Sequence, residues 1–281
     1  MRSIKQIYQA RYEPIADLKT WNALPLIAPE QTDPFIFLNH HGPQTYLQRN
    51  SGLPFGPHPH RGMETVTFIL DGDIMHQDSG GHDSVVTAGG VQWMTAGKGL
   101  VHAEISSEEF KKSGGKLEIL QLWLNLPASY KMSKPQYIGK QKDEIVSFTA
   151  FPGVGMDLIS GRYHEYEPSF DIRKDIFLSL LTFDQNGVYE ERVPVDDNIL
   201  LYVIKGDFVV NGKKAGTHQL VEFDKNNHLI NIKSLNSGVI LFGHARPFGE
   251  PIVARGPFVM NTMAEIYEAY DDYQKGLFGR L

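Results

Sequence analysis

Short runs of alternating apolar and polar residues recur along the chain from residue 35 to residue 245. Gly, Pro, Asn and Asp bound most of these runs, and segments with helical periodicity are scarce. Successive side chains of a strand point to opposite faces of the sheet, so a period of two predicts half-buried strands. In the clearest run, 117–126, leucines at positions 120, 122, 124 and 126 alternate with Gln121, Trp123 and Asn125. The pattern favours a mainly β fold.

The strand runs fall into two groups along the chain. The best candidates lie at 65–70, 91–95, 117–126, 177–183, 200–204 and 239–244. The segment FILDGD at 68–73 resembles VIKGD at 203–207, and both are typical of a strand that enters a tight turn. A polar stretch containing Pro and Gly lies between the groups at 128–145. We therefore predict two β domains, at 1–135 and 136–281.

One helix is expected near the C-terminus. Thr262 and Glu265 have the spacing of a capping box, and apolar and aromatic residues follow at helical intervals until Gly276. Its tyrosines are interpreted as packing residues rather than as a binding surface.

Composition limits the chemistry that is available. The chain has 281 residues, of which 41% are hydrophobic, and a formal net charge of −6. This charge argues against a broad positive surface for nucleic acid or anionic lipid. The absence of cysteine excludes disulfides, thiol catalysis and thiolate metal ligands. With no signal peptide or membrane span evident, we expect a cytoplasmic protein.

Two pairs of polar residues have the spacing of metal ligands. His58 and His60 stand two residues apart before one strand, and His102 and Glu104 stand two apart after a turn at Gly97–Gly99. Residues i and i+2 of a strand share a face, so neighbouring strands bearing such pairs can surround one ion. Three imidazoles and a carboxylate leave open positions for water, substrate or dioxygen.

Glu64 is the alternative carboxylate, because it shares the parity of His58 and His60. We favour a different role for Glu64, in which it orients a ligand histidine or pairs with Arg61.

These motifs resemble a known family. The pattern Gly52-x5-His58-x-His60-x3-Glu64, with Gly72 and then Gly97-x-Gly99-x2-His102, resembles the two metal motifs of the cupin superfamily. More narrowly, HPHRGMETVTFILDG, QWMTAGKGLVHAEI, LQLWLNLP and GEPIVARGPFVMNT are similar to pirin sequences. The chain departs from the general cupin pattern at Gly97, at Ser106 and in the length of the Glu64–Gly72 spacer, but at none of the ligands.

The resemblance implies a bicupin fold, with two antiparallel β-barrel or jelly-roll domains and a short C-terminal helix. It implies the ligands His58, His60, His102 and Glu104, with Glu64 outside the set. One divalent metal ion is expected, Fe(II) first, with Mn, Co, Ni, Cu and Zn as alternatives.

It also implies a quercetin 2,3-dioxygenase, in which Glu104 takes the proton of the flavonol 3-hydroxyl and O2 cleaves the ring with release of carbon monoxide. The expected partners are then a small aromatic polyhydroxylated substrate and O2. We expect the apolar residues Phe55, Met63, Trp93 and Trp123 to form the pocket wall.

Two other functions remain open. One is a metal- or redox-dependent regulatory protein without catalytic activity, which binds a protein partner. The other is a cupin dioxygenase or isomerase that acts on a different enediol or catechol.

The second half is expected to hold no metal. Aligning Gly206 with Gly72 places Arg192 and Pro194 at the first two ligand positions, with His228 near the third.

Four other histidines are interpreted without ligand roles. We expect His40 and His41 to form a gate or to hydrogen-bond in a loop, and His76 and His82 to be exposed at a polar turn.

Overall fold

The computed structural model describes residues 1–26, 28–173 and 175–281. Two compact units divide the chain. The first unit comprises residues 12–30, 35–143 and 248–281, and the second comprises residues 1–11, 31–34 and 144–247.

The described residues are mainly β. The first twelve strands are β1 (Ile4–Gln9), β2 (Arg11–Tyr12), β3 (Thr20–Leu24), β4 (Phe35–Tyr46), β5 (Phe55–His60), β6 (Met63–Asp71), β7 (Asp73–Asp78), β8 (Asp83–Thr87), β9 (Val91–Thr95), β10 (Leu100–Ile105), β11 (Gly115–Asn125) and β12 (Gln136–Lys140). The others are β13 (Val146–Phe151), β14 (Val154–Ser160), β15 (Ile176–Phe183), β16 (Val188–Arg192), β17 (Asn198–Lys205), β18 (Asp207–Val210), β19 (Lys213–Gly216), β20 (Gln219–Phe223), β21 (Leu229–Ser234), β22 (Gly238–Ala245), β23 (Val253–Arg255) and β24 (Phe258–Met260). The helices are α1 (Glu108–Ser113), α2 (Met263–Gln274) and the short 3-10 turns Pro29–Gln31, Ala128–Tyr130 and Lys142–Glu144.

The first unit contains a large and a small antiparallel sheet. The seven-stranded sheet has the order β12-β9-β6-β11-β4-β3-β2, and the four-stranded sheet has the order β5-β10-β7-β8. The pair β23-β24 forms a separate hairpin. This arrangement is a jelly-roll-like cupin fold rather than a closed barrel.

The second unit repeats this topology. Its sheets have the orders β1-β20-β17-β22-β15-β14-β13 and β16-β21-β18-β19, which match those of the first unit strand by strand. Gly72 and Gly206 occupy the same turn in the two units, with φ of 84° and 100°. The prediction of two copies of one β fold is confirmed.

The units exchange chain segments, which a single boundary at 135/136 does not describe. Strand β1 pairs with β20 as an edge strand of the second unit, whereas the corresponding edge strand of the first unit is β12. Residues 248–281 belong to the first unit. Local composition reveals a polar linker, but it cannot reveal which sheet a terminal strand completes.

All six strand runs expected from the alternation form strands, and their ends agree within two residues. The C-terminal helix is also present as α2, with the Thr262–Glu265 capping box formed on both sides. Helix α1 was not anticipated. It has only six residues, too few for a helical period to stand out, although Ser107 caps it by accepting a hydrogen bond from the Phe110 amide.

The C-terminal segment packs into the first unit. Phe258 and Met260 of β24 join Ile266 and Ala269 of α2 in one buried cluster with Val101 of β10. Within the described residues, no helix has the length and apolar character that crossing a bilayer requires.

Candidate metal centre

Two neighbouring strands of the four-stranded sheet bring three histidines together. Strands β5 and β10 are antiparallel, and His102 lies directly opposite His58. His60 follows two residues later on the same face, as the alternation of a strand requires. The ligand atoms of His58, His60 and His102 all lie within 4.8 Å of one another. These three side chains therefore form a group that could hold a metal ion.

A β-bulge helps to aim this group. The pairing of β5 with β10 is regular at His102 but shifts before Glu104, which lies opposite Phe55. Gly56 and Pro57 are thus accommodated on β5 without matched partners. Bulges commonly redirect side chains beside functional sites.

Backbone carbonyls fix the tautomers of two of the histidines. The Nδ1 of His58 donates to the Gly56 carbonyl oxygen at 2.7 Å, and the Nδ1 of His60 donates to the Pro257 carbonyl oxygen at 3.1 Å. A carbonyl can only accept, so in the neutral form of each ring the proton lies on Nδ1 and Nε2 keeps its lone pair. Both rings are prepared to act as ligands through Nε2.

His102 is fully buried, and neither of its ring nitrogens has a hydrogen-bond partner among the described residues. Burial lowers its pKa well below the ordinary range, and the neighbouring histidines lower it further. Burial, with a contribution from His58, likewise lowers the pKa of His60 to about 3. Both rings are neutral near pH 7, which is the metal-binding form of imidazole. A buried imidazole without partners fits a ligand position.

Glu104 faces the same cavity and is held by three polar side chains. Its Oε1 accepts hydrogen bonds from the Gln92 amide and from the Thr67 hydroxyl at 3.0 Å, whose proton is shared with the Gln121 side-chain oxygen at 2.8 Å. Its Oε2 accepts one from the Gln121 amide at 3.1 Å. Its oxygens lie outside the 4.8 Å grouping of the three imidazoles.

The three donors form part of a polar row that crosses the large sheet. Gln92, Thr67, Gln121 and Asn39 occupy directly paired positions on β9, β6, β11 and β4. Sequence reasoning missed this row. The available signal was a polar residue with an apolar residue on each side inside a strand, as in Val66-Thr67-Phe68 and Leu120-Gln121-Leu122.

Glu64 lies in the other sheet from the histidines, so the parity that linked it to them does not apply. The strand is interrupted after His60, and Gly62, with φ of 78°, turns the chain from β5 into β6. Glu64 Oε1 accepts from the Thr95 hydroxyl at 2.7 Å. Arg61 donates to Asp272 at 2.7 Å and to the Lys98 carbonyl oxygen, also at 2.7 Å.

A cavity of about 140 Å³ opens beside the histidines. Its walls include His58, His60 and Glu104, the polar residues Asn39 and Gln121, and the apolar residues Ile15, Phe37, Phe55 and Trp123. Trp123 packs edge-on against His60, at 5.1 Å between ring centroids. The cavity therefore has imidazole and carboxylate groups on one side and aromatic rings on another.

Of the four predicted wall residues, Phe55 and Trp123 line the cavity, whereas Met63 and Trp93 do not. Trp93 follows Gln92 on β9, and because Gln92 points toward Glu104, Trp93 points to the opposite face of the sheet. Met63 packs in a buried cluster with Ile36, Ile252 and Val259.

Three of the remaining histidines are more buried than the sequence suggested. His40 and His41 lie within β4 rather than in a loop, where they contact Glu118 at 2.9 Å and Thr20 at 2.9 Å. His76 is fully buried and stacks on Tyr137 at 3.8 Å between centroids, because residues 73–78 form an interior strand of the small sheet. Of the four histidines expected to have no ligand role, only His82 is substantially exposed.

The pairing registers revise the alignment of the second unit. Counting from Gly72 and Gly206, Met75 corresponds to Val209, and their partners across the sheet are Ile105 and Lys233. Ile105 therefore corresponds to Lys233, and, three residues before them, His102 corresponds to Ile230. The residue opposite Ile230 is Glu191, which therefore corresponds to His58.

By the same count, Val193 corresponds to His60 and Ile232 to Glu104, so Arg192 and Pro194 are each displaced by one residue from the ligand positions. Arg192 instead hydrogen-bonds to His228. That the second unit holds no metal remains a prediction.

Comparison with known proteins gives the family. The sequence profile of the Pirin family matches residues 19–124, and that of the Pirin C-terminal cupin domain matches residues 180–279. Pirin-1 of Arabidopsis thaliana is 34% identical over 272 residues, covering 92% of this chain and 88% of the relative. A crystal structure of quercetin 2,3-dioxygenase from Acinetobacter baumannii superposes with a TM-score of 0.93 at 29% identity, covering 99% of both chains.

A bacterial pirin from Escherichia coli, solved in complex with nickel(II), has the same fold, with a TM-score of 0.65 at 22% identity; the match covers 86% of this chain and all of that one. The two family profiles and the curated relative together show that this chain belongs to the pirin family of cupin proteins.

Proposed function

We propose that this protein is a mononuclear metal-dependent dioxygenase that cleaves a flavonol such as quercetin with O2. The observation that carries the proposal is the group of three imidazoles beside a cavity with Glu104 on its wall. A nitrogen-rich site with an adjacent carboxylate suits a metal that keeps open coordination positions. The similarity to a solved quercetin 2,3-dioxygenase supports the choice of substrate.

His58, His60, His102 and Glu104 would hold the ion, for which Fe(II) is our first choice. When bound, such an ion supplies Lewis acidity toward a chelating oxygen and the capacity to react with O2. The residues fit this role because the His102 nitrogens have no other partner and the Nε2 atoms of His58 and His60 are available. Asp, Glu and His side chains accept several divalent metals, so the metal itself has to be measured.

Glu104 is proposed to take the proton of the flavonol 3-hydroxyl. Its Oε1 already accepts two hydrogen bonds, whereas its Oε2 accepts one, from Gln121. The acceptor capacity that remains is therefore greater on Oε2. Binding to the ion would weaken Glu104 as a base, so this role requires Oε2 to turn away from the ion when the substrate arrives, while Thr67 and Gln92 keep Oε1 in position.

Oxygen uptake tests the proposal. Protein loaded anaerobically with Fe(II) is mixed with quercetin, and dissolved oxygen and flavonol absorbance are followed together. We expect both to fall in the wild type and to stay constant in His102→Ala and Glu104→Ala. Circular dichroism and stoichiometric metal analysis establish that each variant is folded and how much metal it binds.

Two results would separate the alternatives. If the wild type binds one metal per chain but consumes no oxygen with quercetin, flavonol cleavage is excluded for this protein. Oxygen uptake with other catechols or enediols would then indicate a different dioxygenase. An absence of oxygen uptake with every chelating substrate would favour the regulatory role, in which the bound metal alters binding to a protein partner.

A further inference from the structure

The cavity beside the histidines is too small for a two-part aromatic ligand. Pockets that bury ligands of this size usually measure about 300–1,000 Å³. The cavity here measures about 140 Å³. It can accommodate the chelating end of a flavonol, but the attached aryl ring has to lie elsewhere.

A larger apolar pocket lies on the other side of one cavity wall. It has a volume of about 610 Å³, and its lining includes Ile36, Ile252, Val259 and Met263. Phe37 and Trp123 line both this pocket and the cavity beside the histidines. All of these residues belong to the first unit. These two side chains thus form a partition with one space on each side.

The partition is an aromatic pair that no hydrogen bond locks in place. Phe37 and Trp123 stack with ring centroids 4.4 Å apart and planes inclined by 29°. The indole Nε1 of Trp123 is buried, and no described residue hydrogen-bonds to it. A rotation of either ring therefore breaks no side-chain hydrogen bond within the part of the chain that the structure describes.

The cavity side also offers an unused acceptor. The side-chain oxygen of Asn39 is buried and accepts no hydrogen bond from residues 1–26, 28–173 or 175–281, and Asn39 lines the cavity next to Gln121. A buried acceptor without a partner is costly unless a ligand or a water satisfies it. A phenolic hydroxyl group is a donor that could do so.

We propose that the apolar pocket lined by Ile36, Ile252, Val259 and Met263 is the subsite for the exocyclic aryl ring of a flavonol, an inference that rests on the proposed function. The Phe37–Trp123 pair is the partition that moves to admit this ring. The chelating end lies beside the histidines, where Asn39 accepts a hydrogen bond from a ring hydroxyl. Phe37 and Trp123 thereby set specificity for ligands with two ring systems.

Equilibrium binding to zinc-loaded protein under anaerobic conditions tests the subsite without turnover. Two probes are compared: 3-hydroxyflavone, which carries the aryl ring, and 3-hydroxychromone, which has the same chelating end and lacks that ring. Met263→Trp narrows the pocket from the wall remote from the histidines. We expect this variant to bind 3-hydroxyflavone at least tenfold more weakly than the wild type does. Its affinity for 3-hydroxychromone should stay within about twofold of the wild-type value.

Tyr267→Trp is the matched control, because Tyr267 lies one turn further along α2, is 68% exposed and is not part of the lining. It should change neither affinity. Ala254→Trp, at an exposed position on the same lining, provides a second obstruction should Met263→Trp fold poorly.

Equal effects of Met263→Trp on the two probes, or no effect on either, would overturn the subsite. If quercetin-dependent oxygen uptake persists in that case, the proposed function stands without it. If neither probe binds the wild type and no oxygen is consumed, the subsite and the proposed function both fail.

Discussion

The side chains that hold Glu104 are as informative as the imidazoles themselves. Three strands of the large sheet each contribute one donor to this carboxylate of the small sheet. Residues that orient a metal-site ligand commonly change metal affinity by about 10–100-fold when they are replaced. The polar row therefore makes a prediction that depends on no substrate.

We expect Gln92→Leu to lower affinity for Ni(II) by about 10–100-fold, because Glu104 loses a buried amide donor and its orientation. Isothermal titration calorimetry measures the affinity. Gln136→Leu, on the neighbouring edge strand and exposed to solvent, is the control and should bind as the wild type does. Unchanged affinity in Gln92→Leu would show that this donor does not support the site.

His41 gives a prediction about pH. Burial, with a smaller contribution from His40, lowers the pKa of His41 to about 3. An unfolded histidine titrates near 6.5, so below that pH the unfolded chain takes up a proton that folded His41 does not. The contribution of neutral His41 to the free energy of unfolding is complete above pH 6.5 and is lost as the pH falls from 6.5 toward 3. At pH 5 the loss is about 2 kcal/mol.

Replacing this histidine should therefore flatten the pH dependence. We expect the free energy of unfolding of metal-free His41→Gln to fall by about 2 kcal/mol less than that of the wild type between pH 7 and pH 5. Urea denaturation at each pH supplies both values. Parallel curves for the two proteins would contradict the prediction.

At the scale of elements, the alternation of apolar and polar residues was sufficient to locate the strands. The six expected runs all form strands, because both the period of two and the bounding turn residues are local properties. The contacts of the polar side chains on these strands were harder to predict. In β11 both faces are largely enclosed, so Gln121 reaches Glu104 and Trp123 reaches His60 rather than solvent.

The point where β5 ends and β6 begins was also hidden from the sequence. His58, His60 and Glu64 have one parity, but the turn at Gly62 sends Glu64 into the other sheet. A Cβ at Gly62 would lie 2.1 Å from the Val259 carbonyl oxygen, and the φ of 78° is unfavourable for other residues. A glycine here lets the C-terminal hairpin approach and hold His60 through the Pro257 carbonyl.

We expect Gly62→Ala to destabilise the protein by about 2 kcal/mol or more, because the positive φ and the backbone contact both oppose a side chain. The loss should appear as a lower midpoint in thermal unfolding. Gly56→Ala is the matched control, since it lies on the adjoining strand and an added Cβ would meet nothing within 4 Å. Similar midpoints for the two variants would contradict this account of the turn.

At the scale of the whole molecule, the repeat was visible in sequence but the exchange of segments was not. A strand such as β1 has the same period whichever sheet it completes, and only the pairing with β20 assigns it. The register also shows what separates the two copies. Positions equivalent to His58, His60, His102 and Glu104 hold Glu191, Val193, Ile230 and Ile232 in the second unit.

This difference predicts that metal binding protects one copy of the repeat. A ligand at 100 times its dissociation constant stabilises the state that binds it by about 2.7 kcal/mol. We expect Ni(II) to slow amide hydrogen exchange in β5 and β10, because it would bind the histidines of both strands. The exchange rates of the equivalent strands β16 and β21 should not change. In His102→Ala the protection of β5 and β10 should disappear. Exchange that slows equally in all four strands, or in none, would show that the three-histidine group of the first unit does not hold the metal.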